Sequence, residues 1–421
     1  MRIAKFAALA AAVMMGLAAC GGDTGESSTK TLTVWRFGEP TADDTEIMSQ
    51  VGAEFEQAKG VSVEVEWIPW PKVTEKLTAA AAGGDGPDVT EIGNTQVVTW
   101  AAQDTLLDIT DQVRAWTEGQ TIPKHQWANE TIGGKTYAVP WLGATRGVYY
   151  RKDWFAELGI QTPKNWADLL AAAQKIKSAK AVDGFAVSAT SADALHGFAP
   201  FVWGNGGQIV ADEGGKWVSK LNTPQAKEAL AFVTDLVKKE QVSSEGVLTK
   251  DSVEIGKMFA NGSVGMFAEG PFGKGNLLAT NKITDAQLGV FPLPGKTGGI
   301  AGQFAGGNDL AIWKDTGAPQ LSFEYLQLLA GKKYTDAYGI KAGLLPFYPD
   351  LLAGDAYAKD PWLSNFIPAM SQARTYAVHE KWIKVEESVV QRAIKDVVTG
   401  KASVDAAADA AAKAMDETLN S

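Results

Sequence analysis

The amino-acid order predicts an α/β fold built as two lobes or as one large α/β unit. Three observations carry this. Strand-type and helix-type segments alternate from Thr31 onward, the pattern of a parallel or mixed sheet covered by helices. The chain has 421 residues, more than one ordinary domain of about 100 to 200 residues. Hydrophobic residues make up 45% and charged residues 21%, a globular mix with a core to bury.

Element by element, Thr31 to Phe37 is a β-rich run, and Asp43 to Lys59 follows with helical spacing through Ile47, Val51, Phe55 and Ala58. Val61, Val63, Val65 and Trp67 then alternate with Ser62, Glu64 and Glu66, a strand with one apolar face. Pro71 to Ala82 reads as a helix broken by Gly83-Gly84-Asp85-Gly86-Pro87, before a short strand at Asp88 to Gly93 and a helix at Gln96 to Gln103. Doubly wound sheets bind ligands beyond the carboxyl ends of their strands, which points to the loops Arg36 to Thr41, Pro69 to Lys72 and Gly93 to Gln96. After Tyr137-Ala138-Val139-Pro140 a second series begins. Its helices are expected at Asp153 to Leu158, Ala167 to Ala179, Pro224 to Lys239 and Val253 to Ala260, and its strands at Gly184 to Ala189 and Ser263 to Ala268. The last third is mostly helical and ends in an Ala-rich helix at Ser403 to Leu419, with Ser403 as its cap.

Composition excludes several functions. Lys plus Arg number 39 against 49 Asp plus Glu, a formal charge of −10 with no basic excess to neutralise phosphates, so nucleic acid is not an expected partner. One cysteine rules out an intrachain disulfide framework and a multi-cysteine zinc site, and His125, His196 and His379 are scattered. No metal and no cofactor are expected. The glycine clusters at 204 to 207, 298 to 302 and 306 to 307 lack phosphate-loop spacing.

The amino terminus carries an export address. Arg2 and Lys5 precede an apolar run, Phe6 to Leu17, of 12 residues, too short to span a bilayer core, which takes roughly 20. Leu17-Ala18-Ala19-Cys20 resembles the bacterial lipoprotein signal, in which the cysteine is lipidated and becomes the first residue. Residues 1–19 are then a leader, and 20–30, which lack apolar residues after Cys20, a flexible tether. Losing Arg2 and Lys5 deepens the charge from −10 to −12.

The stretch Ile132 to Leu158, with Gly134-Lys135-Thr136-Tyr137-Ala138-Val139-Pro140 and Tyr149-Tyr150-Arg151-Lys152-Asp153, followed by Pro163-Lys164-Asn165-Trp166, resembles the family 1 extracellular solute-binding proteins of bacterial ABC importers, the maltose-binding-like group. Further pieces occur in the family's order: Gly84 to Val89, Trp203 to Gly207, Phe259 to Met266, Gly307 to Ile312, Leu345-Pro346 and Gly400 to Ala407. The resemblance covers nearly all of the chain beyond the tether. It implies a two-lobed periplasmic-binding-protein-like fold with three hinge crossings, near Trp141 to Gly147, Gly299 to Gly306 and Leu345 to Leu351. Lobe one is then 31–142 plus 307–346, and lobe two 147–300 plus 351–421. It further implies a monomer that is not an enzyme. Anchored outside the cell by Cys20, such a protein binds a disaccharide or short oligosaccharide, closes, and docks on the ABC permease subunits.

A sugar cleft combines aromatic faces with hydroxyl-binding polar groups, and 14 tryptophans fit that demand. By position and by the family pattern, the expected ligand contacts are Arg36 and Glu39 after the first strand, Trp70, Asn94 and Thr95, with helix capping as an alternative for the last two. Trp141 and Arg146 fall at the first crossing, and His196 and Trp203 precede the Asn205-Gly206-Gly207 turn. Glu269 and Phe272 lie in Glu269-Gly270-Pro271-Phe272, where the family's pattern has Gly-Pro-Trp. Gln303, Asn308, Arg374 and Trp382 complete the set. Two rival readings stay open: a secreted glycoside hydrolase, which needs a pair of carboxylates about 5 to 9.5 Å apart, and a binding protein for a charged solute, either a polyamine or a phosphorylated polyol held by Arg36, Arg146 and Arg374.

Overall fold

The computed structural model describes residues 31–304, 306–370 and 372–421. The leader, Cys20 and the tether lie outside the described residues.

Strand β1 (Thr31–Phe37) leads into helix α1 (Ala42–Lys59). Thr41 starts that helix with a reciprocal cap to Asp44, and Gly60 ends it at φ 70°. The alternating valines form β2 (Ser62–Ile68), then come α2 (Val73–Gly83), β3 (Val89–Gly93) and α3 (Val97–Ala102). β1 pairs in parallel with both β2 and β3, the product of two strand–helix–strand turns. The chain then runs through β4 (Ala138–Ala144) and crosses at Thr145-Arg146 into β5 (Gly147–Arg151). β5 begins a different sheet.

Helices α4 (Ser191–Gly204) and α5 (Pro224–Lys238) precede β6 (Met266–Glu269) and β7 (Leu288–Pro292), which flank β5 as antiparallel neighbours. The segment expected as a strand at Gly184 to Ala189 touches β6 only through a single bridge, Ala186 to Phe267. Its approach is tight. A Cβ on Gly184 would lie 2.1 Å from the Ala173 carbonyl oxygen, so Gly184→Ala is expected to cost about 1–3 kcal/mol, read as a lowered urea midpoint.

The return to the first sheet passes through β8 (Gln303–Phe304) to β9 (Gly306–Ile312) and β10 (Leu345–Pro346). The completed six-stranded order is β10-β4-β9-β3-β1-β2, with β9 antiparallel to both β3 and β4. The rest of the chain adds β11 (Ala373–Arg374), which pairs with β8, and helices α6 (Trp382–Val398) and α7 (Val404–Leu419). Ser403 caps α7 by accepting from the Ala406 N–H, as its sequence suggests. α6 is buried along Trp382, Val385, Val389, Val390, Ala393 and Ile394 against α4, α5 and α7, each such side chain worth roughly 1.5–3 kcal/mol when fully removed from water. Separate apolar cores lie under the six-stranded sheet and in the α4 to α7 layer. Among the described residues, no helix is long and apolar enough to cross a membrane.

Candidate functional site

The carboxyl end of β3 delivers Asn94 and Thr95 to the boundary between the two sheets. Asn94 is held there by its N–H, which donates to the Gly307 carbonyl at 3.0 Å. Opposite stands the start of α6. The Thr95 hydroxyl lies 3.1 and 3.0 Å from the two carboxyl oxygens of Glu386, the Thr99 hydroxyl donates to the Glu380 carbonyl at 2.8 Å, and the Thr74 hydroxyl to Glu387 at 3.0 Å. Three threonines from the first-sheet side thus meet one short segment on the other.

Behind that segment is a pile of rings. His196 of α4 stacks on Phe304 of β8 with centroids 4.3 Å apart and 2° between planes, and Phe304 stacks on Tyr376 at 4.6 Å. Tyr376 also stacks on Trp203 at 5.7 Å and on Trp382 at 5.1 Å. The imidazole is edged by polar partners, with Nδ1 3.2 Å from the Tyr376 hydroxyl and Nε2 3.3 Å from Glu386. Burial, reinforced by the nearby Arg146 cation, pushes His196 down to about 3, so the ring is neutral. Burial pushes Glu386 up to about 8, against the opposing hydrogen bond from Thr95.

At the crossing, the Arg146 guanidinium lies 2.9 Å from Asp193 and 3.4 Å from Glu269. Burial works against the Asp193 charge, but Arg146 and the Ser252 N–H hold its carboxyl below the usual range. For Glu269 burial wins, and its carboxyl sits above the usual range despite Arg146. Asn94, Thr95, Val98, Asn129, Tyr376, Ala377 and Val378 line a gap between the walls that is too narrow to hold a water molecule. Ligand pockets usually span ~300–1,000 Å³, so a disaccharide enters this gap only if the walls separate. Among the described residues, no cluster of three or more His, Cys, Asp or Glu side chains could hold a metal ion.

Of the residues expected from sequence, Asn94, Thr95, Arg146, His196 and Trp203 belong to this boundary, while Trp382 is fully buried in the core behind it, stacked on Tyr376. Glu269 joins it through Arg146. Gln303 is fully buried in β8, its amide donating to the Ala301 carbonyl, and Arg374 is exposed on the paired β11. Asn308 is half-buried on β9 opposite Gly93. Phe272 is half-buried beside Gly270. Glu39 is exposed, and Trp70 is 44% exposed with its ring edge-on to Phe37.

Arg36 and Trp141 stand instead in the core of the first sheet. Arg36 is 2% exposed, 2.8 Å from Glu91, with Trp141 and Tyr338 rings 4.4 and 4.9 Å from its guanidinium. This corrects the expectation of a ligand-facing residue at the strand's end: β1 spans Thr31–Phe37 as read, but Arg36 shares the buried face of Val34. The ion pair there is buried, and Trp141, 1% exposed, covers it.

Sequence reasoning missed Glu386, Tyr376, Phe304, Asp193 and Asn129. Glu386 did leave a signal. It interrupts the apolar stripe Trp382, Val385, Val389, Val390 of α6, and a carboxyl on a buried stripe needs a partner.

The family model described as bacterial extracellular solute-binding protein matches residues 38–336. The diacetylchitobiose binding protein DasA of Streptomyces coelicolor is 30% identical over 423 residues, covering 94% of each chain. The maltodextrin-binding protein MdxE of Bacillus subtilis is 26% identical over 394 residues, 89% of this chain and 83% of that protein. Among solved structures, the GacH receptor of Streptomyces glaucescens matches with TM-score 0.83 at 24% identity, covering 93% of this chain and 99% of that one. Maltose-bound MalE3 of T. maritima matches with TM-score 0.80 at 24% identity, over 92% and 100% of the two chains. At such identities the structural likeness establishes the two-lobed α/β fold.

Proposed function

Because the chain belongs to the bacterial extracellular solute-binding proteins, we propose that it captures a disaccharide or short oligosaccharide between its lobes and delivers it to the permease of an ABC importer. The observation that carries this reading is the ring pile of His196, Phe304, Tyr376, Trp203 and Trp382, edged by Glu386, Thr95 and Asn94 at a boundary between two sheets. Flat rings suit the C–H faces of a pyranose, and buried polar tips discriminate among hydroxyls, since stranding one costs ~1–3 kcal/mol. The likeness to a diacetylchitobiose binding protein and a maltodextrin-binding protein favours chito- or malto-type sugars, with xylo- and cello-oligosaccharides as the wider class.

In this reading, residues 31–142 with 307–346 and residues 147–300 with 351–421 move as two bodies about the three crossings. Only the closed arrangement makes both sets of sugar contacts, so the sugar selects it. The protein works as a monomer, and the sugar leaves intact. The shared carboxyls of the cleft serve hydrogen bonding and charge balance rather than cleavage.

Thermal-shift measurement against N,N′-diacetylchitobiose, maltose, cellobiose and xylobiose tests the assignment. A cognate sugar at 100 times its Kd is expected to stabilise by ~2.7 kcal/mol, with the sugar recovered uncleaved. Stabilisation by a phosphorylated polyol alone, with every neutral sugar inert, would reverse it. For the anchor, Cys20→Ser is expected to move the protein from the membrane fraction into the medium.

A further inference from the structure

We propose that closing the cleft takes up one proton at Glu386, which makes Glu386 a positioning residue that ties sugar affinity to pH. The inference deepens the sugar-binding reading and rests on the same cleft, but its primary test needs no sugar.

The geometry is that of a carboxyl sealed between two moving walls. Glu386 is 3% exposed, although it sits on the boundary itself. Facing it are the Thr95 hydroxyl from the loop after β3, His196 from α4, and Tyr376 from the segment before α6, with Glu387 adjacent in sequence. Behind His196 lie Arg146 from the crossing and Asp193 from α4, paired with each other at 2.9 Å. Arg146 also lies 3.4 Å from Glu269, so its charge is shared between Asp193 and Glu269 and none is left over to neutralise an ionised Glu386.

Burial and the Arg146 cation keep the proton off His196. We assign it to Glu386, whose O–H donates to Nε2, while Nδ1–H donates to the Tyr376 oxygen and the Thr95 hydroxyl donates to the carboxyl's other oxygen. Both carboxyl oxygens and both imidazole nitrogens are then partnered, with neither group charged. Ionised, the same carboxyl would be a buried anion whose donors are both uncharged, the Thr95 hydroxyl and, in the other tautomer, the His196 Nε2–H.

Opening removes Thr95 and admits water, which returns Glu386 toward the ordinary carboxyl range near ~4.3. The closed state then holds a proton that the open state has lost. Below that range the closed-to-open ratio is at its maximum. Through the window up to about 8 it falls about tenfold per pH unit, and above it the ratio levels off, because both states are ionised.

Small-angle X-ray scattering of the purified, ligand-free protein between pH 5.5 and 9, with circular dichroism to verify the fold, reads closure directly. Wild type is expected to expand as pH rises and to be reversibly compact again on acidification. E386Q, a neutral isostere, is expected to stay compact throughout. A radius of gyration that ignores pH in wild type overturns the proposal, as does an E386Q profile that parallels wild type. Should E386Q not fold, calorimetry of wild type with N,N′-diacetylchitobiose at pH 7 in phosphate and in Tris decides: about one proton taken up supports the coupling, none overturns it. If no sugar binds, the scattering profile still stands on its own.

Discussion

Replacing Arg146 by methionine is expected to cost about 1–3 kcal/mol of folding stability at pH 7, below the range for a fully buried pair because Arg146 and Asp193 each keep 18% of their side-chain surface and only Glu269 is sealed. Arg146 is the cation between Asp193 and Glu269 at the point where the chain first leaves the six-stranded sheet. Each carboxylate has one further backbone donor, the Ser252 N–H at 2.8 Å for Asp193 and the Gly270 N–H at 2.8 Å for Glu269. Neither donor carries charge. Without the guanidinium, the part-buried Asp193 and the buried Glu269 face each other as anions, and one takes up a proton at a free-energy cost that grows with pH. The deficit should therefore shrink in urea titrations run near pH 4.5. Asp193→Asn added to Arg146→Met should restore part of the loss at pH 7, because a single carboxylate then remains. A loss under about 1 kcal/mol, or one independent of pH, would mean that water already solvates the cluster.

Much of the fold was legible because it is written in short-range patterns. The valines at 61, 63 and 65 mark a strand with one covered face, and Thr41, Gly60 and Ser403 punctuate helices through local hydrogen bonds and backbone geometry. The second sheet was harder. Ser263 to Ala268 reads as a strand, yet the strand is Met266–Glu269. Gly262 turns the chain at φ 78°, and Gly265 is pressed beneath Ile176, where a Cβ would sit 2.6 Å from its side chain. Those constraints come from a helix some ninety residues earlier in sequence, and no local period reports them.

The site divides along the same line. Asn94 and Thr95 were singled out by a rule about strand ends, and His196 and Trp203 by the family pattern before a glycine turn. Their partners were not. Thr95 and Glu386 are 291 positions apart, and Tyr376 earns no notice in a segment with little periodicity. Arg36 misled because an arginine near a strand end looks solvent-facing until its buried partner is known, and Glu91 lies 55 positions away. The interrupted stripe of α6 was the one long-range clue available, since a carboxyl among Trp382, Val385 and Val389 has to answer to something outside its own helix.

A second buried acid pair, beside the six-stranded sheet, is expected to make folding stability fall as pH rises. Glu130 and Asp309 are 2% and 1% exposed, and Asp309 lies in the middle of the six-stranded sheet on β9. Burial pushes Glu130 up to about 7, with the Asp309 carboxyl donating a hydrogen bond that opposes the rise. Burial, then the neighbouring Glu130 charge, lifts Asp309 well above the carboxylate range, so Asp309 carries the proton. Both shifts have the same sign. An acid whose proton is held more tightly when folded contributes most below its unfolded value and weakens folding as pH climbs toward its folded value. For Glu130 the window runs from 4.5 to about 7, roughly 3 kcal/mol by linkage. Glu130→Gln keeps an acceptor for Asp309 and removes the titration. Its urea midpoint should therefore gain on wild type between pH 4.5 and 8, by a margin approaching that figure. Glu386 titrates in both proteins and cancels in the difference, so parallel curves for the two would place the penalty elsewhere and leave Glu130 ionised at no cost in the native sheet.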